Sequence, residues 1–299
     1  MPLRAASIAV LTFALATTGS THCPAATISD YFNNYGTVAT NVAGLGVAGG
    51  GWAGPWAGSS VPDYAPGVNL TYSAPGYDNS DNETGLEDGA AQQGSDPNVG
   101  NSADRSLAVD FTGTIWVSAL AKVDGVGRAR VAFDAPRVVG PIYGFLWGDG
   151  NGLVGGGVTY NNLNTTDTSS PARFSAADTH LMLMRIGIGV TNTDFALWVD
   201  PDLTGGDIGL PAPLYNVSAS NNVMIGTTLQ EVGVGFFGSG APSGRLIDAV
   251  RVSNDIDGFY RVTAVPEPTS LLLASLAVIG LVVSNSLRRL ARSSRSQLH

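Results

Sequence analysis

The acidic side chains of this sequence are the first candidates for chemistry, and the question is whether two of them pair. Between residues 27 and 264 the only glutamates are Glu83, Glu87 and Glu231. Hydrolysis of a glycosidic bond needs two carboxylates that face the same cleft. Glu83 and Glu87 lie in NETGLEDG, a stretch of turn-forming residues. We expect solvated loop charges there, and a divergent catalytic pair is the alternative.

Nucleophilic catalysis has few candidate residues in the same segment. His180 is its only histidine, and Cys23, the single cysteine of the chain, precedes it. No Gly-x-Ser-x-Gly sequence is present to form the strand-to-helix turn of a serine nucleophile. We therefore expect a structural role for His180 and no enzymatic activity.

Loops rich in Asp and Asn could bind calcium, because Ca²⁺ takes several oxygen ligands from carboxylates, amides and backbone carbonyls. The segments YDNSDNETGLEDG, DPDLTGGD and SNDIDG supply such oxygens. The candidate ligands are Asp78, Asp81, Asp200, Asp202, Asp255 and Asp257. None of these loops has the EF-hand spacing, and the same residue types also form ordinary surface turns. Calcium is therefore the one cofactor that the sequence offers, with plain turns as the alternative.

Aromatic side chains could bind a carbohydrate by stacking on the apolar faces of its rings. The candidates for such a surface are Trp52, Trp56, Trp147 and Tyr77. Trp116 and Trp198 instead lie in apolar runs that are typical of buried strands. For each tryptophan, burial in the core is the alternative to sugar binding.

Short alternating runs, separated by Gly, Asn, Asp and Pro, are the elements that must position these residues. The predicted strands cover residues 68–73, 107–111, 114–122, 129–133, 142–147, 181–190, 195–199, 232–237, 246–252 and 259–265. No segment shows a sustained helical period. The pattern predicts an all-β domain over residues 27–264, built as an antiparallel β-sandwich of the jelly-roll type.

The two ends of the chain have the patterns of export and membrane segments. A basic residue, an apolar run and small residues predict a signal peptide over residues 1–26. Residues 269–287 are long and apolar enough for a single transmembrane helix. Arginines follow at once, so residues 293–299 are predicted to form a cytoplasmic tail, with the domain outside the inner membrane. A buried helix is the alternative at either end.

The charge of the chain excludes one class of partner. The formal net charge is -9 at pH 7, and four of the fifteen Lys and Arg residues lie within the last twelve positions. The domain between the two ends therefore lacks the basic surface that displaces counterions from a phosphate backbone. We expect no nucleic-acid partner.

The order of Pro-Glu-Pro, apolar run and arginines resembles the PEP-CTERM sorting signal of Gram-negative bacteria. The residues that carry the resemblance are Val265, Pro266, Glu267, Pro268, Arg288 and Arg289, together with the run from Leu271 to Val283. The resemblance implies a sorting domain over residues 265–292 and processing by an exosortase. It also implies transient anchoring in the inner membrane, and then a place at the surface of a cell that makes exopolysaccharide, or outside it.

Three segments of the predicted domain resemble concanavalin A-like, laminin-G-like jelly rolls. They are YFNNYGTVATNVAGLGVAGGGWAGPWAG, TDFALWVDPDL and GRLIDAVRVSNDIDGFYRV. The resemblance implies that LWVDP ends a mid-sheet strand in a turn and that IDAVRVS is the last long strand. Glycoside hydrolases on this fold carry an E-x-D-x-x-E strand motif, which this sequence lacks.

These observations together favour a non-enzymatic protein of the cell surface or extracellular matrix. Its lectin-like domain is expected to associate with exopolysaccharide. A divergent polysaccharide hydrolase or lyase is one alternative, and a purely structural, adhesive surface protein is another.

Overall fold

Seventeen β-strands and one short helix form the part of the chain that the structure describes. The structure is a computed structural model, and it describes residues 27–30, 32, 35, 40–46, 49–60, 62–73, 77, 89–94, 101–134, 142–160, 166–169, 171–220, 228–238 and 244–263. In chain order the elements are β1 (Thr27–Asp30), β2 (Thr40–Asn41), β3 (Ala57–Ser60), β4 (Asp63–Pro66), β5 (Gly89–Gln92), β6 (Asn101–Phe111), β7 (Gly113–Val123), β8 (Val126–Asp134), β9 (Ile142–Asp149), β10 (Leu153–Tyr160), β11 (Thr166–Ser169), β12 (Phe174–Ser175), β13 (His180–Ile188), β14 (Asn192–Val199), β15 (Tyr215–Ser220), β16 (Leu229–Phe237), β17 (Arg245–Ser253) and α1 (Gly258–Thr263).

The strands pair into two antiparallel sheets. The nine-stranded sheet has the order β15–β14–β13–β7–β17–β5–β4–β2, and β1 also pairs with β17. The eight-stranded sheet has the order β11–β10–β9–β8–β16–β6–β3, and β12 pairs with β10. The two sheets lie face to face, so the predicted all-β sandwich is confirmed.

The main hydrophobic core lies between the two sheets and follows from the alternation of side chains along each strand. Its fully buried members include Met182, Met184 and Ile186 of β13 and Val232, Val234 and Phe236 of β16. Burying one such side chain contributes about 1.5–3 kcal/mol to folding. Because successive side chains on a strand point to opposite faces, these residues also fix which side chains of the same strands face outward.

Strand β17 is buried along its whole length and has neighbours on both edges. One edge pairs with β7, and the other is shared by β5 and β1. The pairing with β7 shifts between Asp248 and Arg251, where Ala249 has a φ of 49°. The Asp248 carboxylate accepts hydrogen bonds from the backbone amides of Ala249 at 2.7 Å and Leu70 at 3.1 Å. These bonds hold the irregular backbone of the bulge in place.

A second hydrophobic cluster covers the outer face of the nine-stranded sheet, which we call the sealed face. Trp116 of β7 and Trp198 of β14 stack there, with ring centroids 5.9 Å apart. Phe259 of α1 meets the Trp116 ring edge-on at 5.4 Å. The loops add Leu70, Tyr72, Tyr77 and Leu203 to the cover. The helix and these loops therefore close this side of the sandwich.

Two of the predicted strands are wrong, and both segments belong to this cover. Residues 68–73 run outside the sheets, where Leu70 and Tyr72 pack against the sealed face. The start of the predicted strand 259–265 lies in helix α1, whose Phe259 and Val262 stand three positions apart and are both buried. A short alternating run fits a covering segment as well as a strand, so its period alone does not distinguish them.

The predicted end segments lie outside the described residues. They are the signal peptide over 1–26, the sorting domain over 265–292 with its span at 269–287, and the tail over 293–299. Within the residues that the structure describes, no helix is both long and apolar enough to cross a membrane. The predictions for these end segments therefore rest on the sequence.

Candidate functional site on the outer face of the eight-stranded sheet

The outer face of the eight-stranded sheet, which we call the open face, carries polar and aromatic side chains in rows across its strands. The register aligns Tyr143 of β9, Ala132 of β8, Gly233 of β16 and Asp104 of β6. Two positions along the strands, the next row holds Phe145, Arg130, Gly235 and Ser102. The third row holds Trp147, Arg128 and Phe237. All of these residues have the parity opposite to that of the core residues in their strands.

Three carboxylates gather at one end of the open face, which we call the acidic end. Glu231 stands directly opposite Asp134 on one neighbouring strand and opposite Ser106 on the other. Asp104 is a diagonal neighbour of Glu231, one row away. The Ser106 hydroxyl donates a hydrogen bond to Glu231 Oε1 at 3.2 Å.

The surroundings of Asp104 disfavour its charged form. Burial of the side chain, followed by the negative charges of Glu231 and Asp134, raises the pKa of Asp104 to about 6, and the positive charge of Arg130 offsets this only in part. Asp104 therefore exchanges its proton under mildly acidic conditions.

Two arginines of β8 lie over aromatic rings of β9. The Arg130 guanidinium carbon is 4.5 Å from the centre of the Tyr143 ring, and the corresponding distance from Arg128 to Phe145 is also 4.5 Å. These contacts are cation–π interactions, which hold the guanidinium groups over the rings of the neighbouring strand. The Nε atom of Arg130 is buried and has no hydrogen-bond partner among the described residues.

Glycines of β16 form the floor between the acidic end and the rest of the open face. A Cβ atom at Gly233 would collide with Oδ1 of Asp104, and one at Gly235 would stand 2.6 Å from Nε of Arg130. Asp104 and Arg130 can therefore lie across the strand only because these two positions carry no side chain. The two side chains occupy the space above these glycines, and both glycines are buried.

Exposed apolar side chains occupy the other end of the open face, which we call the apolar end. Phe237 is 56% exposed, Val126 51% and Leu153 41%, and Trp147 is half-buried beside them. Phe237 and Glu231 are six residues apart on the same strand, so about 20 Å separates the apolar end from the acidic end. An elongated ligand can therefore contact both ends.

The aromatic surface that the sequence predicts is only partly present. Trp56 is 1% exposed, stacks on Phe32 at 5.5 Å and donates its indole N–H to Asp30 Oδ2 at 3.0 Å. Trp52 is buried under the guanidinium of Arg105, which lies 4.7 Å from its ring. Both tryptophans are therefore removed as sugar-binding candidates, because they cover the buried Asp30–Arg105 ion pair.

Of the two other predicted aromatic residues, one is buried and one reaches the open face. Tyr77 belongs to the cover of the sealed face, where Arg251 lies 4.9 Å from its ring. Burial against that cover excludes Tyr77 from a sugar-binding surface. Trp147 alone among the four candidates lies on the open face, opposite Arg128.

His180 has the structural role that the sequence predicts. Its Nε2 donates to the carbonyl oxygen of Ser175 at 2.8 Å, and its Nδ1 lies 2.7 Å from Oδ2 of Asp200. Burial lowers the pKa of His180, but the hydrogen bond and charge of Asp200 outweigh it, and the net pKa is raised. Both ring nitrogens are engaged, so the imidazole has no free atom with which to act as a base.

The acidic loops that could bind calcium are not assembled into a site where they are described. Asp200 binds His180 and the amide of Leu181, and Asp202 accepts hydrogen bonds from the amide and hydroxyl of Thr204. Among the described residues, no three His, Cys, Asp or Glu side chains come together in a way that could hold a metal ion. Asp255 and Asp257 fall within this statement, whereas Asp78, Asp81, Glu83 and Glu87 lie outside the described residues.

Asp104, Asp134 and Glu231 are the site residues that the sequence analysis did not identify as a group. They come from β6, β8 and β16, and only the register of those strands brings them together. A local signal is nevertheless present, since Tyr143, Phe145 and Trp147 share one parity, as do Gly233, Gly235 and Phe237. Such parity marks the outward positions once the inward ones are assigned.

Comparison with known proteins finds one family motif, at the C-terminus. The model of the PEP-CTERM protein-sorting motif matches residues 264–289. The chain carries a PEP-CTERM sorting motif. This confirms the prediction made from Pro266, Glu267, Pro268, Arg288 and Arg289. The motif implies an exported, exosortase-processed protein of the cell surface.

No relative was found among curated protein sequences. The body resembles several glucanases of known structure. The β-glucanase of Bacillus licheniformis has 14% identity and a TM-score of 0.40, over 77% of this chain and 98% of the enzyme. The endo-1,3-β-glucanase of Streptomyces sioyaensis has 15% identity and a TM-score of 0.40, over 79% and 99%. A β-1,3-glucanase of Mycobacterium marinum has 14% identity and a TM-score of 0.39, over 75% and 97%.

Proposed function

We propose that this protein is exported, anchored for a time in the inner membrane, processed by an exosortase and then held at the cell surface. There it binds polysaccharide on the open face without cleaving it. One observation carries the binding proposal: a single sheet face combines exposed aromatic and apolar side chains with carboxylates and arginines. The sorting motif supports the location.

The chemistry of the open face suits a carbohydrate. A sugar ring has an apolar face that stacks on aromatic side chains, and Trp147 and Phe237 supply them. Its hydroxyl groups donate hydrogen bonds, and Asp104, Asp134 and Glu231 supply acceptors.

One observation favours a second function, hydrolysis of the bound polysaccharide. Asp104 and Glu231 are diagonal cross-strand neighbours, which places their Cβ atoms about 7–8 Å apart or somewhat less. Two neighbouring carboxyl groups on one sheet face are the arrangement that hydrolysis of a glycosidic bond needs. The raised pKa of Asp104 is the property of a general acid.

Binding is tested with the exported protein and a panel of immobilised polysaccharides. Phe237→Ala is expected to weaken binding about tenfold, because loss of an aromatic anchor removes roughly 1–2 kcal/mol of binding free energy. Ile208→Ala is the matched control, since this apolar side chain is 95% exposed in a loop outside the eight-stranded sheet. Retention of no polysaccharide, or an equal loss in both variants, would overturn the binding proposal.

Release of reducing ends from a bound polysaccharide separates the two functions. We expect none from the wild-type protein. Turnover that disappears in both Asp104→Asn and Glu231→Gln would establish the hydrolase instead.

Mass spectrometry of the surface form tests the processing step. We expect the surface form to lack Arg288 and the residues after it. Recovery of an intact Arg295 tail would contradict exosortase processing.

A further inference from the structure

A cavity beside the C-terminal end of β14 shares no residue with the open face. Its volume is about 390 Å³. The lining comes from three segments, which are residues 198–202 at the end of β14, residues 211–214 before β15, and Arg173 next to β12. The volume lies near the lower end of the range of about 300–1,000 Å³ that is usual for small-molecule sites. The cavity can therefore hold the end of an oligosaccharide, but not a length of polymer.

The walls of this cavity are fixed by contacts within the protein. The indole N–H of Trp198 donates to the carbonyl oxygen of Pro211 at 2.8 Å, which ties the segment before β15 to the end of β14. The rings of Pro201, Pro211 and Pro213, which all belong to the lining, fix the φ angles of these walls. The cavity is therefore preformed, and a ligand loses little free energy in ordering it.

Two opposite charges of the lining are available to a ligand. The Arg173 guanidinium lies 5.1 Å from the centre of the Phe174 ring, and within the described part of the chain its N–H groups have no hydrogen-bond or ion-pair partner. Oδ1 of Asp202 accepts two hydrogen bonds from Thr204, whereas Oδ2 has no partner among the described residues. Both carboxylate oxygens of Asp200 are already engaged within the fold. One guanidinium and one carboxylate oxygen therefore remain for a ligand.

The hydrogen-bonding groups of the lining match the hydroxyl groups of a sugar. A hydroxyl both donates and accepts, so neighbouring hydroxyls of one ring can donate to Asp202 and accept from Arg173. The prolines add carbonyl acceptors without backbone N–H donors, which suits a ligand rich in hydroxyls better than a peptide, whose own carbonyls need donors. Because the two free charges have opposite sign, the lining favours neither an anionic nor a cationic ligand. Leu214 and the proline rings add apolar surface for the face of a sugar ring.

We propose that this cavity is a second carbohydrate site, which takes the end of a neutral, hydroxyl-rich oligosaccharide. The inference adds a separate site to the proposed function and does not depend on the open face. The two sites have different roles, because the open face is long enough to bind a stretch of polysaccharide and the cavity holds only a chain end.

Two tryptophan side chains separate the cavity from the open face in one experiment. Trp198 lines the cavity, and Trp147 lies on the open face. The indole N–H signals of the isotopically labelled exported protein are followed by nuclear magnetic resonance while a short neutral glucose oligosaccharide is added. We expect the Trp198 signal to shift, because its hydrogen-bond partner Pro211 also lines the cavity, and the Trp147 signal to stay unchanged. Trp198→Phe and Trp147→Phe assign the two signals.

Variants of the two free charged groups connect binding to the cavity. Arg173→Gln and Asp202→Asn are each expected to weaken binding of the oligosaccharide about tenfold, because each weakens a hydrogen bond to a charged group. The asparagine keeps Oδ1 for the bonds from Thr204, so the local loop is preserved. Arg261→Gln is the matched control for charge, since the Arg261 side chain is 54% exposed on helix α1. An equal loss of binding in Arg261→Gln would overturn the inference.

Two further ligands test the chemical class. The same oligosaccharide ended by a uronate is expected to bind at least several-fold more weakly, because its carboxylate meets the negative charge of Asp202. Free glycine tests a zwitterion, and it is also expected to bind more weakly. Tighter binding of either ligand would overturn the neutral class. A shift of the Trp147 signal alone would support the proposed function and overturn the inference. A shift of the Trp198 signal, with no polysaccharide retained through Phe237, would support the inference and contradict the proposed function.

Discussion

The sealed face and the open face are both outer faces of antiparallel sheets. The sealed face is covered by helix α1 and loops, whereas the open face has apolar side chains exposed to solvent. On the sealed face, Trp116 and Trp198 stack beneath helix α1 and the loops. On the open face, Phe237 stays 56% exposed beside charged residues. The difference shows that burial in this protein depends on which loops and helix cover a sheet. The apolar side chains left uncovered lie on the face where we propose that a ligand binds.

The largest expected effect is a loss of stability from a substitution in the sealed face. Trp116→Ala should destabilise the domain by about 3–5 kcal/mol, because it removes a buried ring that contacts Trp198 and Phe259 and leaves a cavity. Phe237→Ala on the open face should change stability by no more than about 0.5 kcal/mol. Urea unfolding of both variants measures the contrast. Similar losses of stability in both would mean that the two faces contribute equally to the core.

A smaller effect, of opposite sign, is expected at the acidic end. The carboxyl of Asp104 has a pKa of about 6 in the folded protein against a reference value of 3.8, so ionisation costs the folded state more than the unfolded one. Stability is therefore lost as pH rises from about 4 through 6, and Asp104→Asn should recover about 1–2 kcal/mol at pH 7 after allowance for partial exposure.

The same substitution should leave stability nearly unchanged near pH 4, where Asp104 is protonated in both states. Thermal unfolding at pH 4 and pH 7 checks this dependence. Destabilisation by Asp104→Asn at pH 7 would show that the carboxylate stabilises the fold and that the open face carries no functional strain. A stabilised variant that has also lost ligand binding would show that function is kept at the expense of stability.

The smallest expected effect concerns the link between the two sheets. His180 of the nine-stranded sheet donates to Ser175 of β12 in the eight-stranded sheet, and Asp200 raises the pKa of His180. The stabilisation from this raised pKa is complete below the reference value of 6.5 and is lost as pH rises through the folded value. Asp200→Asn should remove this decline of stability with pH, which is smaller than the change at Asp104. A decline that persists in Asp200→Asn would assign it to another group.

Most of the fold could be predicted because apolar alternation marks the strands that have one face in the core. Eight of the ten predicted strands are present, among them those that became β7, β13 and β17. The turn after Val199 and the long last strand, both implied by the resemblance to jelly rolls, are confirmed. β10 escaped prediction because LVGGGVTY has glycines at Gly155, Gly156 and Gly157, which hide the buried pair of Val154 and Val158.

The candidate site was harder to predict because it has no local motif. Asp104, Asp134 and Glu231 are far apart in sequence, and their proximity depends on the register of β16 against β6 and β8. Trp52 and Trp56 were candidates for surface aromatics, but both are buried against the Asp30–Arg105 ion pair. The residue type suggested sugar binding, but contacts between segments far apart in sequence determine which tryptophans are exposed enough to contact a sugar.

The position of β17 sets the order in which an exported chain can fold. This strand occupies the middle of the nine-stranded sheet, and β1, the earliest strand, pairs with it through Thr27 and Ser253. When such a chain crosses a membrane from its N-terminus, β1 crosses first and cannot pair with β17 until β17 has also crossed. The sheet therefore closes only after residue 253 has crossed, shortly before the sorting motif at 264–289 arrives. Completion of the domain and presentation of its sorting signal are consecutive events in time.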